Sequence, residues 1–278
     1  MTESTEVDRE LLEALKQQGL DTVEGAFAFS GGCDLAKDRL GHRRRTCLEV
    51  TDQSHRKHRL YLKRYGREGF AARFRRWLVY GPNLSAAEVE WRNIRAARAA
   101  GLPTMQAVIR GQEGGWVGGG RSYIIVAAVG GEALSRCGED YIRRRADRGA
   151  SALIAGLAEL VGTLHASGYV HRDLYAAHIF LDDRIGRPQL CLIDLARMFA
   201  PHFRTFRWRV KDLAQLKCSM PAEWTRRHWD DFLAAYLTRY GGRNHRRYNR
   251  AIDRKAASII RRRIRRQSRA VARAGPSS

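Results

Sequence analysis

Three side chains, far apart along the chain, restrict it more than its composition does. Lys63 sits in Arg59-Leu60-Tyr61-Leu62-Lys63-Arg64-Tyr65, Asp173 in His171-Arg172-Asp173, and Asp194 closes Leu192-Ile193-Asp194. The first run alternates as a strand does, the second opens a loop before a short apolar run, and the third ends the next such run. An ammonium and two carboxylates in this order suggest phosphoryl transfer, whose loose transition state is stabilised by positioning and charge neutralisation more than by covalent chemistry. Lysine is also scarce: seven Lys, at 16, 37, 57, 63, 211, 217 and 255, stand against 44 Arg. A compact ammonium suits a confined phosphate pocket better than a planar guanidinium.

With 278 residues and 44% apolar content, the chain can bury one large domain or two lobes. A formal charge of +22 calls for an anionic partner: nucleic acid, a phospholipid leaflet or an acidic glycan. The acidic start, residues 1–6, argues against a secretory signal. The longest apolar run, residues 123–129, is far shorter than a bilayer span, so no transmembrane helix is expected. Five Cys (33, 47, 137, 191, 218) without a CxxC pair suit reduced, mostly buried thiols and argue against a zinc site. His55 and His58, in a basic loop, read as solvated.

Along the chain, residues 7–19 read as a short amphipathic helix with Val7, Leu11, Leu12 and Leu15 on one side. Strands are expected at 25–30, 45–51 and 59–65. The glycine-bearing connection at 31–45 is either the place for a phosphate-covering loop or an ordinary hairpin, and it lacks GxGxxG. Residues 85–100 form a helix capped by Ser85. Either Glu88 or Glu90 can face Lys63, and Glu90 is preferred because Trp91 and Ile94 turn that part of the helix inward. Two strands, 104–110 and 122–129, flank a glycine-rich turn. A helix over 150–167 leads to the His171-Arg172-Asp173 loop, strands follow at 178–181 and 190–193, and helices at 210–220 and 224–240 make the second half mainly α. The stretch 243–273 interleaves Ile252, Ile259, Ile260 and Ile264 with a dozen Arg. It reads as a basic helix on an anionic leaflet, a solvated helix or a disordered tail.

With HRDLYAAHIFL, CLIDLAR, RLYLKRY and RWRVKDLAQL together, the chain resembles the lipopolysaccharide kinase (Kdo/WaaP) family over roughly residues 25–240. The most specific element is residues 175–178, where His178 stands at the position that protein kinases fill with Asn. The resemblance implies an α+β, two-lobed protein-kinase-like fold, with an antiparallel β-rich N-lobe over 1–129 and a mainly α-helical C-lobe over 130–242; the composition of 243–278 adds a basic C-terminal helix or tail. It implies ATP-dependent phosphorylation of a sugar hydroxyl of the inner core, on Kdo or heptose, at the cytoplasmic face of the inner membrane. The acceptor is then an anionic glycolipid, the membrane surface is anionic, and nucleic acid is not expected as a partner.

On that resemblance Asp173 takes or orients the proton of the attacking hydroxyl. Asp194 binds Mg²⁺, which prefers hard oxygen ligands. Lys63, oriented by Glu90, neutralises nucleotide phosphates, and the small residues 127–131, Ala127 and Val129 among them, form either the hinge that meets adenine or a tight link between lobes. Arg172 either pins the loop or is one arginine among many. His178 either ligates metal or, imidazole being a weak Mg²⁺ ligand, holds a phosphate or the loop. Asp212 accepts loop N–H groups or is a plain helix-start carboxylate. Arg197, Arg204, Arg207 and Arg209 are candidates for the acceptor's carboxylates and phosphates. Asp194-Leu195-Ala196 lacks the Gly of DFG, which weakens any expectation of an activation-loop switch. The competing readings are a kinase for a protein or small metabolite, a non-catalytic nucleotide-binding module of the same shape, and an RNA- or DNA-binding protein. No RNP aromatic motif, zinc-finger spacing or basic zipper supports the last.

Overall fold

In the computed structural model the alternation along residues 59–65 becomes the middle of an antiparallel sheet. The structure describes residues 9–35, 43–82, 84–113, 120–184, 188–240 and 244–274. Two units are present: Met1–Ala99 with Thr104–Val129 and Asp194–Phe199, and Ala100–Pro103 with Gly130–Ile193 and Ala200–Ser278.

The first unit runs α1 (Arg9–Gln17), α2 (Val23–Ala28), β1 (Cys33–Asp34), β2 (Arg43–Thr51), β3 (Lys57–Tyr65), α3 (Phe70–Tyr80), α4 (Ala86–Ala99), β4 (Ala107–Gln112) and β5 (Ser122–Ala127). The sheet order is β1-β2-β3-β5-β4. Period-two alternation sorts β3: Leu60 and Leu62 join Leu48, Val50, Tyr123 and Ile125 on the face covered by Leu11, Leu15 and Val23. Lys63 and Tyr65 therefore point to the other face, the one α4 packs on.

The strand expected at 25–30 is instead α2. Thr22 caps it, its hydroxyl accepting from Gly25 N at 3.0 Å. A Cβ on Gly25 would lie 1.8 Å from the Gly19 carbonyl, so the glycine lets α2 fold back on the end of α1. The first strand is the two-residue β1, paired Cys33↔Cys47. Gly32, at φ 82, supplies the turn before it, where a Cβ would meet Cys47 O at 2.3 Å. Residues 36–42, the middle of the expected phosphate-covering connection, lie outside the described residues, as do Val7 and the turn at 114–119. α3 was not expected.

The second unit contains β6 (Glu132–Ala133), α5 (Leu134–Ala166), β7 (Ile179–Asp182), β8 (Gln189–Leu192), α6 (Thr205–Lys217), α7 (Ala222–Tyr240) and α8 (His245–Ala274), with a small sheet ordered β6-β7-β8. α5 starts 16 residues before the expected 150, because its Arg-rich first half carries little apolar periodicity. Within it Asp147–Ala166 is long and apolar enough to cross a membrane, which amends the expectation drawn from uninterrupted apolar runs. Leu153, Leu157, Leu160, Val161 and Leu164 from that stretch are buried in this unit, where α5 packs on α7 with its Phe232, Leu233 and Tyr236.

α8 has two characters. Tyr248, Ile252 and Ala256 are buried, the helix packing on α6 over this stretch, whereas residues 260–269 are exposed. None of the five Cys is buried: Cys33 is exposed and the others are partly covered. His55 is exposed, but His58 is not simply solvated, since its Nε2 lies 2.7 Å from the buried Asp52 carboxylate.

Candidate active site

In the first unit the site starts from register. Arg45 on β2 pairs with Lys63 on β3, which pairs with Ile124 on β5, so Arg45 and Lys63 share one face. Lys63 is buried and its ammonium donates to Glu90 Oε1 of α4, which is fully buried. The other Glu90 oxygen accepts from the Tyr65 hydroxyl at 2.5 Å. Burial, with the Glu90 carboxylate beside it, pushes the Tyr65 hydroxyl well above its usual range, so it stays a donor. Both carboxylate oxygens are thus occupied by donors, as a charge out of water requires. Glu88 points elsewhere, to the guanidinium groups of Arg92 at 2.7 Å and Arg110.

Asp194 follows β8 in a left-handed conformation, φ 61, which Asp tolerates better than most residues. Its carboxylate accepts from the Arg45 guanidinium at 3.0 Å. The segment beyond it is tied to α4 by Asn93, whose amide donates to the Leu195 and Met198 carbonyls at 2.8 and 2.7 Å. One helix therefore holds Lys63 through Glu90 and the Asp194 segment through Asn93, three residues on and on the same helix face. At the end of β5 the amides of Ala127 and Ala128 donate to Gln106 O and Arg59 O, 2.8 and 2.9 Å.

In the second unit the loop is organised by Asp212. Its fully buried carboxylate accepts from the backbone N–H of His171 at 2.6 Å and of Arg172 at 2.8 Å. Asp212 does this from inside α6, which starts at Thr205, and so is not a helix-start carboxylate. The His165 imidazole approaches the same carboxylate through Nε2 at 3.4 Å while its Nδ1 meets the Tyr236 hydroxyl at 2.8 Å. Because the carboxylate only accepts, Nε2 carries the proton and Nδ1 receives the hydroxyl. Burial lowers the His165 pKa, outweighing the Asp212 carboxylate that raises it, so the ring is held neutral.

Arg172 has φ 71, a strained conformation for a long side chain, costing on the order of 1–3 kcal/mol. Asp212 on its N–H and the Lys211 ammonium on its carbonyl hold it there, and its guanidinium lies 5.5 Å over the Trp208 ring. The Asp173 carbonyl accepts from Tyr175 N at 2.9 Å and from His178 Nδ1 at 2.8 Å. His178 thus folds back on the residue it follows by five positions. With Nδ1 protonated and committed to a carbonyl, His178 fits a loop-holding part better than a metal-ligating one.

The four arginines fall into different settings. Arg197, in the first unit, and Arg204 and Arg207, in the second, are exposed. Arg209 is committed to the scaffold, donating to His165 O at 2.7 Å and stacking 4.1 Å over Tyr240. Among the described residues no group of three or more His, Cys, Asp or Glu is assembled for a metal. Mg²⁺ does not need one, since it keeps waters and takes substrate phosphates beside one or two carboxylates. Arg45, Asn93, Tyr65 and His165 were not picked out from the sequence. The partners of Arg45 and Asn93 are more than a hundred residues away in sequence, and no local pattern marks such pairs.

A β-rich unit with a buried Lys–Glu pair and a helical unit whose His-Arg-Asp loop hangs from a buried aspartate make this an α+β protein of the kinase-like class. The match is narrower than that: the model of the lipopolysaccharide kinase (Kdo/WaaP) family aligns with residues 35–236, and the chain belongs to this family. It is 34% identical over 160 residues to the lipopolysaccharide core heptose(I) kinase WaaP of Pseudomonas aeruginosa, a match covering 55% of this chain. The chain spans about 60% of the length of that curated relative. A solved structure of WaaP in complex with acyl carrier protein superposes with a TM-score of 0.63 at 27% identity, covering 85% of this chain and 92% of that one.

Proposed function

We propose that this chain is an ATP-dependent kinase that phosphorylates a sugar hydroxyl of the lipopolysaccharide inner core, on heptose or Kdo. The observation that carries the reading is the Lys63–Glu90 pair, which keeps an ammonium aimed from a strand at little exposure. The heptose(I) kinase relative favours heptose. Lys63 neutralises nucleotide phosphates and Glu90 and Tyr65 fix its position. Asp194 offers the hard oxygen that Mg²⁺ takes. The metal, when bound, neutralises charge between phosphate groups. With Ala127 and Ala128 bonded inside the sheet, main-chain donation to the base falls to Val129.

Asp173 accepts the proton of the acceptor hydroxyl as its oxygen attacks the terminal phosphorus and the diphosphate leaves. Asp212, Lys211, Arg172 and His178 set the backbone from which it acts. Arg197, Arg204 and Arg207 recognise the anionic acceptor, and Arg209 does not. The place of work is the cytoplasmic face of the inner membrane, with the exposed half of α8 against anionic lipid. Acyl carrier protein, held by the structural neighbour, is a further partner to test by co-elution.

The test is incubation of the purified chain with labelled ATP, Mg²⁺ and heptosylated or Kdo-only acceptor glycolipids, the label being located by mass spectrometry. Label on a core sugar is expected. Label only on a protein or small metabolite, or none on any acceptor despite ATP binding, sinks the reading in favour of its rivals.

A further inference from the structure

α3 is built the wrong way round for a helix on a protein surface. Phe70, Phe74, Trp77 and Leu78 are 76%, 46%, 49% and 64% exposed, and no residue of the helix is buried. At 3.6 residues per turn the four fall within an arc of about 100°. Their rings form a ladder, Phe70 to Phe74 at 6.2 Å between centroids and Phe74 to Trp77 at 5.5 Å. The charged side points inward instead: Arg76 pairs with Glu68 and donates to the Leu84 carbonyl at 3.1 Å. Surface patches of this kind mark contact sites, because a face that water alone covers gains nothing from four large apolar side chains.

The chemistry of the rim selects the occupant. α3 contains no Asp or Glu, and exposed Arg75 and half-buried Arg73 border the apolar arc on its two sides, with Arg67 exposed just before the helix. A ladder of aromatic rings edged by guanidinium groups matches the boundary between acyl chains and phosphate headgroups, where Trp is favoured and arginine meets anions. A second copy of the chain is a poor fit, since two bodies of formal charge +22 would meet through arginine-edged faces.

We propose that α3 is an interfacial docking helix that lays Phe70, Phe74, Trp77 and Leu78 into an anionic phospholipid leaflet, with Arg67, Arg73 and Arg75 at headgroup depth. This rests on the membrane reading above and names its contact; it does not depend on kinase turnover. It differs from α8 in kind. α3 inserts apolar groups and resists salt, whereas six exposed Arg between 261 and 269 with two exposed Ile act through charge.

The experiment uses the full chain and vesicles of phosphatidylcholine with phosphatidylglycerol, read by sedimentation at low and high salt. Vesicles carrying bromine on the acyl chains report insertion through Trp quenching. The parent protein is expected to bind in high salt and to be quenched, and Trp77→Phe to lose most of the quenching while still binding. Phe70→Ser with Trp77→Ser should lower partitioning by about a hundredfold, whereas the same positions changed to Leu retain most of it. These side chains are exposed, so thermal midpoints should not move, and the quenching of the parent protein needs no variant. If Ser variants bind as the parent does while removal of residues 260–278 abolishes binding, α3 is not the contact, although the membrane reading stands. No binding by the parent overturns both. Conversion of a dimer to a monomer by the Ser variant, with vesicle binding unchanged, assigns the face to a second copy and also overturns the proposal.

Discussion

Lys63 and Glu90 are each other's condition for burial. Removing either leaves the other as an uncompensated charge out of water, which costs about 3–5 kcal/mol where a buried pair is broken. Lys63→Met keeps the stem but leaves Glu90 buried without its ammonium, so its phosphotransfer should fall by about 10²–10³ and its thermal midpoint should fall as well. Asp173→Asn should lower turnover by about 10²–10⁴ with nucleotide affinity nearly unchanged. Initial rates and a fluorescent-nucleotide titration of both proteins check this, and Asp173→Asn at parental turnover would remove Asp173 from the chemistry. A second prediction concerns His165. Its folded pKa is lowered by burial from the ordinary 6.5, so the unfolded chain binds the proton more readily. Its contribution to stability is complete above about pH 6.5 and is lost as the pH falls below that value. Thermal midpoints should therefore drop between pH 7 and 5, and drop less in His165→Gln; parallel curves for the two proteins would refute it. Lys63, Asp173 and Asp194 stand out in the sequence as candidates because each interrupts, precedes or closes an apolar run. His165 and Arg45 act through partners that only the fold brings near, which is why neither received a part from its sequence alone.

At the scale of elements, legibility followed the direction of the apolar face. β2, β3, β5 and α4 alternate or repeat against a core, and the sequence placed them within a few residues. α3 has no inward apolar face, so periodicity had nothing to align it with a core. The run Gly25-Ala26-Phe27-Ala28-Phe29-Ser30 alternates like a strand, but the Thr22 cap and the close approach of Gly25 to Gly19 decide for a helix. α8 is buried on one side only as far as Ala256, and this division gives a prediction. Removing residues 260–278 should leave the thermal midpoint within a few degrees and weaken binding to anionic vesicles. Removing residues from 245 onward deletes Tyr248, which packs edge-on to Phe206 at 4.9 Å, and the fully buried Ile252. That cut should cost on the order of 2–5 kcal/mol and yield poorly folded protein. Circular dichroism melts compare the two, and equal melts would show that α8 adds nothing to the second unit.

Over the whole molecule the charge of +22 is a property of both units, arginine being spread along the chain. Exposed charge of one sign speeds encounter with an anionic surface and is screened beyond about 10 Å at 0.1 M salt. Association with anionic vesicles should therefore slow about tenfold or more between 0.05 and 0.5 M NaCl, read by stopped-flow energy transfer, while dissociation changes less. A salt-independent association rate would contradict this.

If Asp194 holds the metal, its contact with Arg45 at 3.0 Å would set an order of events. An acid that already has a counter-ion inside the protein competes poorly for a hydrated dication, so little Mg²⁺ should load before nucleotide arrives. On the kinase reading, an incoming triphosphate would supply both the missing metal oxygens and an alternative anion for the guanidinium, and would release the acid. Arg45→Ala should therefore bind Mg²⁺ more tightly without nucleotide, by calorimetry, and show weaker coupling between metal and nucleotide. Unchanged coupling would mean that the arginine is no gatekeeper of the ion.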